Sequence, residues 1–355
     1  NFSLTPAQIV AAAHADPGQN TVQLNHIHSH FGIDGNSGLA IDTGVSPPQS
    51  PSSAIMGPAR RLDPSIPNYF SSDFDAMEIW IGDNRSHIFT YFLGQNAGDW
   101  FNLLNQGILR TGVSDSDTHD KIVVQVGSPR NFVASPSDDP ATLSALAETI
   151  SANVNDGRSV GSNAPFVRIT ANATSTGETA GLALGLPTLI DTTDGNVDVT
   201  VQVQSPLWAE FDKVELYVNS TTTRTSSNKQ SGNGLVSVKR YSITPDYTQS
   251  VAPSVVDVFP SITGAKRLEA TATFNLTGLT GDVWIVAMVK GTDGISRPLF
   301  PVSPNSLQQA GNSTLANLTD GNLGEQGMTT MAFTNPLFID VDGGGWTPPG
   351  LQVNP

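Results

Sequence analysis

The chain has 355 residues, 32 acidic against 17 basic, and a net charge of −15, which repels a phosphate backbone and excludes nucleic-acid binding through a general basic surface. It holds no cysteine, so disulfides, thiol catalysis, Cys-ligated zinc and iron–sulfur clusters are excluded. Its length suits two domains with a core in each, and no apolar stretch approaches the roughly 20 residues that span a bilayer.

Thr5 and Pro6 read as the cap and first residue of a helix, which Asp16-Pro17-Gly18 stops. A strand over residues 21–25 follows and runs into His26, His28 and His30, half of the six histidines of the chain. Neutral imidazole is the commonest transition-metal ligand, so this cluster points to zinc, manganese or iron rather than calcium. Residues 32–70, dense in Gly, Pro and Ser, read as a long irregular loop, and its place after the histidines suggests an active-site rim.

A buried strand over residues 74–81 carries Glu78, and residues 99–107 read as a short helix capped by Asp99 and closed by Gly107. A second buried strand, over 107–113, delivers Ser114-Asp115-Ser116-Asp117-Thr118-His119. If that segment is extended, Asp117 and His119 project from one side of the backbone and can share a cation. Ligands at the carboxyl end of a parallel strand are where α/β barrels keep their active sites. Residues 139–155 read as a helix with Asp139 as cap and Leu143, Leu146, Ile150 and Val154 on one face.

Beyond residue 165 the period changes to two. Short β-branched runs at 166–171, 196–204, 213–218, 235–243, 267–274 and 282–289, separated by Gly, Asn, Asp and Pro, predict an antiparallel sandwich. Asp340-Val341-Asp342-Gly343 imitates part of a calcium loop but lacks its third ligand, so a tight turn is expected. Trp208 and Trp346 are expected in the sandwich core. The expected architecture is thus α/β in residues 1–165 followed by an all-β sandwich in 166–355.

Asn25-His26, Glu78 with Asn84, Asp99-Trp100-Phe101, Ser116-Asp117-Thr118-His119, Arg130-Asn131-Phe132-Val133, Gly157-Arg158 and Ser162-Asn163-Ala164-Pro165 stand in the order of a known family. The series resembles the carboxyl-terminal half of the PHP superfamily of metal-dependent hydrolases, in the branch similar to carbaryl hydrolases. It continues through Pro206-Leu207-Trp208 and Thr334-Asn335-Pro336, and so covers nearly the whole chain. The resemblance implies a distorted β/α barrel, here partial, holding two or three divalent metals that activate water, so that no serine or cysteine nucleophile is required. Carried over by position, His26, Asp117 and His119 are the metal ligands. This chain departs from the family pattern at Ile27 and in the extra His28 and His30.

Arg130 and Glu78 are the catalytic candidates. Arg130 would hold an anionic substrate or stabilise transition-state charge, with a surface salt bridge as the other reading. Glu78 would reach a metal through water or orient a ligand, with a plain inward-facing strand carboxylate as the other reading. Arg158 and Asn163 read as helix-end and turn residues. The amino-terminal ligands of the family lie outside this chain, so an upstream fragment of the same precursor is expected as a docked partner. The expected activity is hydrolysis of an ester, carbamate, amide or phosphoester bond in a small-molecule substrate. The other class is an extracellular binding or structural protein on the same scaffold. Low charge density, acidic balance and the Asn/Thr/Ser-rich sandwich point to an exported, extracellular or periplasmic protein.

Overall fold

The computed structural model describes residues 4, 6–18, 20–25, 42–48, 71–82, 87–118, 126–231, 234–258, 264–291 and 329–355. Within them, α1 (Pro6–His14) precedes three parallel strands, β1 (Gln23–Leu24), β2 (Ala76–Ile81) and β3 (Thr111–Asp115), paired in the order β1-β2-β3. A π-helical stretch, His87–Asn96, leads into α2 (Ala97–Asn105) between β2 and β3. After β4 (Arg130–Val133), a 3-10 turn at Leu143–Leu146 enters α3 (Ala147–Asn155), and β5 (Ser159–Ser162) follows.

The rest is strand. In order come β6 (Phe166–Ala173), β7 (Glu178–Gly181), β8 (Leu189–Asp191), β9 (Val197–Pro206), β10 (Lys213–Val218), β11 (Thr222–Ser231) and β12 (Gly234–Ser242). They are followed by β13 (Tyr247–Ser250), β14 (Ser254–Asp257), β15 (Lys266–Leu276), β16 (Val283–Lys290), β17 (Met331–Thr334), β18 (Leu337–Asp340) and β19 (Val353–Asn354). A five-stranded sheet, β14-β15-β9-β6-β7, faces an eight-stranded one built on β13-β10-β16-β17-β5-β4, with β18 and β8 attached at β16.

The sequence of β16 explains the layering. Its first seven residues, Val-Trp-Ile-Val-Ala-Met-Val, are all buried, and a continuous apolar strand must be covered on both faces. Val283, Ile285, Ala287 and Val289 enter the core shared by the two antiparallel sheets, with Val199, Val201, Val203 and Phe274 from the opposite sheet. Trp284, Val286 and Met288 point the other way, into a second core with Trp80, Phe92, Trp100, Phe101 and Phe333. The described residues therefore form three layers, with the eight-stranded sheet in the middle.

The parallel unit rests on that middle layer through rings. Trp80 stacks on Phe92 at 5.6 Å, and Phe101 lies 4.7 Å from Trp284. Two glycines make room for close contacts around this core, one under the Phe333 ring within the middle sheet and one between α2 and β12. A Cβ at Gly161 would lie 2.1 Å from the Phe333 ring, and one at Gly98 would lie 1.8 Å from the Tyr241 carbonyl oxygen. The second contact seats the β11–β12 hairpin on α2. The eight-stranded sheet also crosses residue 165, since β4 and β5 precede it and β5 pairs with β17.

Several local expectations shift. The strand expected over 107–113 begins at Thr111, because Gly107, at φ 76, belongs to the helix-closing turn, where Ile108 N–H returns to Leu103 O at 2.9 Å. Asp99 is not the cap of α2. It sits inside the first turn, fully buried, and its Oδ1 accepts the Thr43 hydroxyl. Asp139 does close a turn, its Oδ1 accepting Ala141 N–H at 2.9 Å. The apolar face beyond it stays half open, with Leu143 exposed and only Asn153 of α3 buried.

Candidate functional site

Because β1, β2 and β3 are parallel and adjacent, their carboxyl ends lie along one edge of the sheet. At that edge Ile81 of β2 is in register with Asp115 of β3. β1 ends at Leu24, two residues before His26, and β3 ends two residues before Asp117. His26, His28, His30 and His119 themselves lie outside the described residues. Asp117 is described, half-buried, with φ 49. This left-handed conformation, which Asp tolerates better than most residues, removes the extended geometry on which the shared face of Asp117 and His119 was expected. Thr118 Oγ1 donates to Ser116 Oγ at 3.0 Å across the bend.

Glu78 sits mid-strand on β2 and is 1% exposed. The alternation of a strand turns it away from Met77 and Ile79, which enter the aromatic core. The register then slips by a bulge between Glu78 and Trp80, so Ile79 and Trp80 both serve that core and the carboxylate is left on the opposite face. Glu78 is level with Val113 of β3. Nearby, Gln23 Nε2 donates to Asn25 Oδ1 at 2.8 Å and to Asp115 Oδ2 at 2.5 Å. The parallel sheet thus presents Gln23, Asn25, Glu78 and Asp115, a polar set on a sheet whose other face is packed with rings. Sequence reading passed over Gln23 and Asp115, although Asp115 lay inside the quoted motif.

Arg130 opens β4 beside this edge. Its carbonyl accepts the Ser114 hydroxyl at 2.8 Å, and its Nη2 donates to Asn163 O at 3.1 Å. No carboxylate among the described residues pairs with it at salt-bridge distance. Asn163 is buried and forms part of the sheet frame, donating from Nδ2 to Thr329 O at 2.7 Å and accepting Met331 N–H at 2.9 Å. Arg158, at the end of α3, donates to Ala183 O at 3.0 Å. Glu78 lies on β2, Asp115 ends β3, Asp117 follows two residues later, and Arg130 opens β4, whose backbone is tied to β3 at Ser114.

A separate acidic group could hold a metal ion: one carboxylate oxygen from each of Asp282, Asp340 and Asp342 lies within 4.8 Å of the others. The third carboxylate that the 340–343 segment lacks comes from Asp282, just before β16, and spacing along the chain gives no signal of it. The segment is also the tight turn expected. Asp340 Oδ1 accepts Asp342 and Gly343 N–H at 3.1 and 2.8 Å, and Oδ2 accepts Gly345 N–H at 2.6 Å. Burial opposes the charge on Asp340, but these backbone donors outweigh it and hold the carboxyl below its ordinary range. On β8, Asp191 faces Asp340 in register. Desolvation first, then repulsion from Asp340, Glu178 and Asp282, raises its pKa. Of the two tryptophans expected in the core, Trp208 is 46% exposed, because it sits in the turn after β9. Trp346 is half-buried against Phe338 at 4.9 Å.

No helix among the described residues is long and apolar enough to cross a membrane. No family model and no curated protein matches the chain.

Proposed function

We propose that the chain is a metal-dependent hydrolase of the PHP type that uses metal-activated water on an ester, carbamate, amide or phosphoester bond. The observation that carries this reading is the order β1-β2-β3 of adjacent parallel strands, whose carboxyl ends lead into His26 and into the Asp117–His119 motif. Sequential parallel neighbours are the wiring of a β/α barrel, and that edge is where such barrels place chemistry. The donor set fits the group. Carboxylate oxygen and imidazole nitrogen suit zinc, manganese or iron, and Asp117 among them stands at the described edge with Glu78 behind it.

A divalent cation there would supply Lewis acidity and a water acidified toward neutrality. The residues of this chain do the rest. Asp117, with His26 and His119, would hold the ion, Glu78 would orient the ligand set, and Arg130 would meet developing negative charge on the substrate. In this reading the protein acts outside the cytoplasm.

A second reading is an extracellular binding or structural protein on the same scaffold. It is favoured by the fact that the single group of three possible ligands found among the described residues, Asp282-Asp340-Asp342, lies in the sandwich. Elemental analysis separates the two. Near-stoichiometric zinc, manganese or iron, lost together with esterase or phosphoesterase activity on chelation, is the expected result. Protein free of these metals and inert toward ester, carbamate, amide and phosphoester substrates after reloading overturns the hydrolase.

A further inference from the structure

The outer edge of β3 is closed by side chains rather than by a strand. Asn335, in the turn between β17 and β18, accepts Gly112 N–H at 2.7 Å through Oδ1 and donates from Nδ2 to Gly112 O at 3.0 Å. One step on, Asn131 of β4 accepts Ser114 N–H at 2.9 Å and donates to Ser114 O at 2.9 Å. Residues two apart on a strand direct their backbone groups to the same edge, so the two carboxamides satisfy the hydrogen bonds that a fourth strand would make. Each amide carries one donor group and one acceptor, like a peptide unit. On one face of β3, Gly112 makes room for the aromatic core, since a Cβ there would fall 2.8 Å from Ile79 Cδ1 and 3.0 Å from the Trp100 ring.

Both asparagines belong to the neighbourhood of β5, the strand that pairs with β4 on one side and β17 on the other. Asn335 is fully buried, and its Nδ2 also reaches Ser159 O and Oγ, each at 3.0 Å. We infer that Asn131 and Asn335 are positioning residues: they act as a surrogate strand that lets the antiparallel sheet set the register of β3 and the placement of Asp115 and Asp117 at its end. The sandwich is then part of the frame of the site rather than an appendage. That this frame serves a metal centre rests on the hydrolase reading, but the surrogate strand does not.

Residue-resolved amide hydrogen exchange on the full chain tests it, with Asn335→Asp and Asn131→Asp as variants. An ionised carboxylate keeps the acceptor and loses the donor, and it faces a carbonyl. A protonated carboxyl regains both functions. At pH 8 the protection of Gly112 and Ser114 is expected to fall by about tenfold or more, as for loss of one or two hydrogen bonds, with the amide signals of Asp115 and Asp117 shifted. The amides of β16 keep their protection. At pH 5 the buried Asn335→Asp recovers toward wild type at the same pH, because burial raises the introduced carboxyl, whereas the half-buried Asn131→Asp keeps its loss. Unchanged protection at Gly112 and Ser114, an equal loss in β16, or a loss in Asn335→Asp that persists at pH 5 overturns the inference. Manganese titration of the unsubstituted chain bears on the hydrolase reading alone.

Discussion

The indole N–H of Trp284 donates to Oδ1 of Asn105 over 2.8 Å, tying β16 of the middle sheet to α2 between two fully buried side chains. Asn105 Nδ2 continues the chain to Ser220 O at 3.2 Å. Replacing Asn105 with Leu leaves the indole N–H and a carbonyl buried without partners, a cost of about 1–3 kcal/mol for each. Trp284→Ala removes the ring as well and costs about 3–5 kcal/mol. Urea unfolding followed by intrinsic fluorescence and circular dichroism is expected to show lower midpoints for both variants. Equal midpoints for Asn105→Leu and wild type would show that the amide is dispensable.

The strands that were legible before the fold was known are those whose residues alternate or run apolar for six residues or more. β10 was read with its observed bounds, and β9, β15 and β16 to within two residues at each end. What was not legible is instructive. β5, Ser-Val-Gly-Ser, is four residues long and has no period to read, yet it joins the two halves of the chain. β11, Thr-Thr-Arg-Thr-Ser-Ser-Asn-Lys-Gln-Ser, is polar throughout and looks like a linker. It is a strand because it pairs with β12 over nine residues and the hairpin is seated on α2. At the site, Asp117 was visible from its motif. The bulge that brings Trp80 into the aromatic core beside Ile79, and the amides that close β3, depend on contacts between residues far apart in sequence and leave no local signature.

Gly98 should tolerate no side chain. In α2 an alanine would ordinarily favour the helix by about 0.8–1.0 kcal/mol, but here its Cβ would fall 1.8 Å from the Tyr241 carbonyl oxygen. A backbone oxygen cannot rotate aside, so the β11–β12 hairpin must move off the helix, a strain of about 1–3 kcal/mol or more. Gly98→Ala is therefore expected to lower the melting temperature despite its better helix propensity. A neutral or raised melting temperature would show that the hairpin is not seated as described.

The acidic cluster predicts two opposite pH dependences. Asp340 is held below its ordinary pKa in the fold, so its contribution is present above the unfolded value of about 3.9 and is lost as pH falls through the folded one. Asp340→Asn should thus destabilise at pH 7 and converge with wild type in acid. Asp191 is raised in the fold. Its favourable share is present below about pH 3.9 and is lost as pH rises through the folded value. Asp191→Asn should stabilise at pH 7, by relief of repulsion from Asp340, Glu178 and Asp282, and lose that advantage in acid. Melting temperatures of the two variants against wild type from pH 3 to 8 measure both signs, and a parallel shift at every pH would contradict the assignment.

Glu78 separates metal chemistry from plain packing. A carboxylate 1% exposed at the centre of a strand costs free energy unless it is partnered, and on the sheet face opposite the aromatic core it stands behind the edge where Asp117 emerges. If it orients a metal ligand, Glu78→Gln keeps shape and hydrogen bonding but weakens the support. Affinity for manganese or zinc should then fall about 10–100-fold, and activity should fall with it at subsaturating metal and recover when metal is in excess. If it is only an inward-facing carboxylate, the same substitution changes the unfolding midpoint of the metal-free protein and leaves metal affinity where it was. Measuring both quantities on one preparation, with Asp117→Asn as the reference for loss of a direct ligand, decides between the two roles.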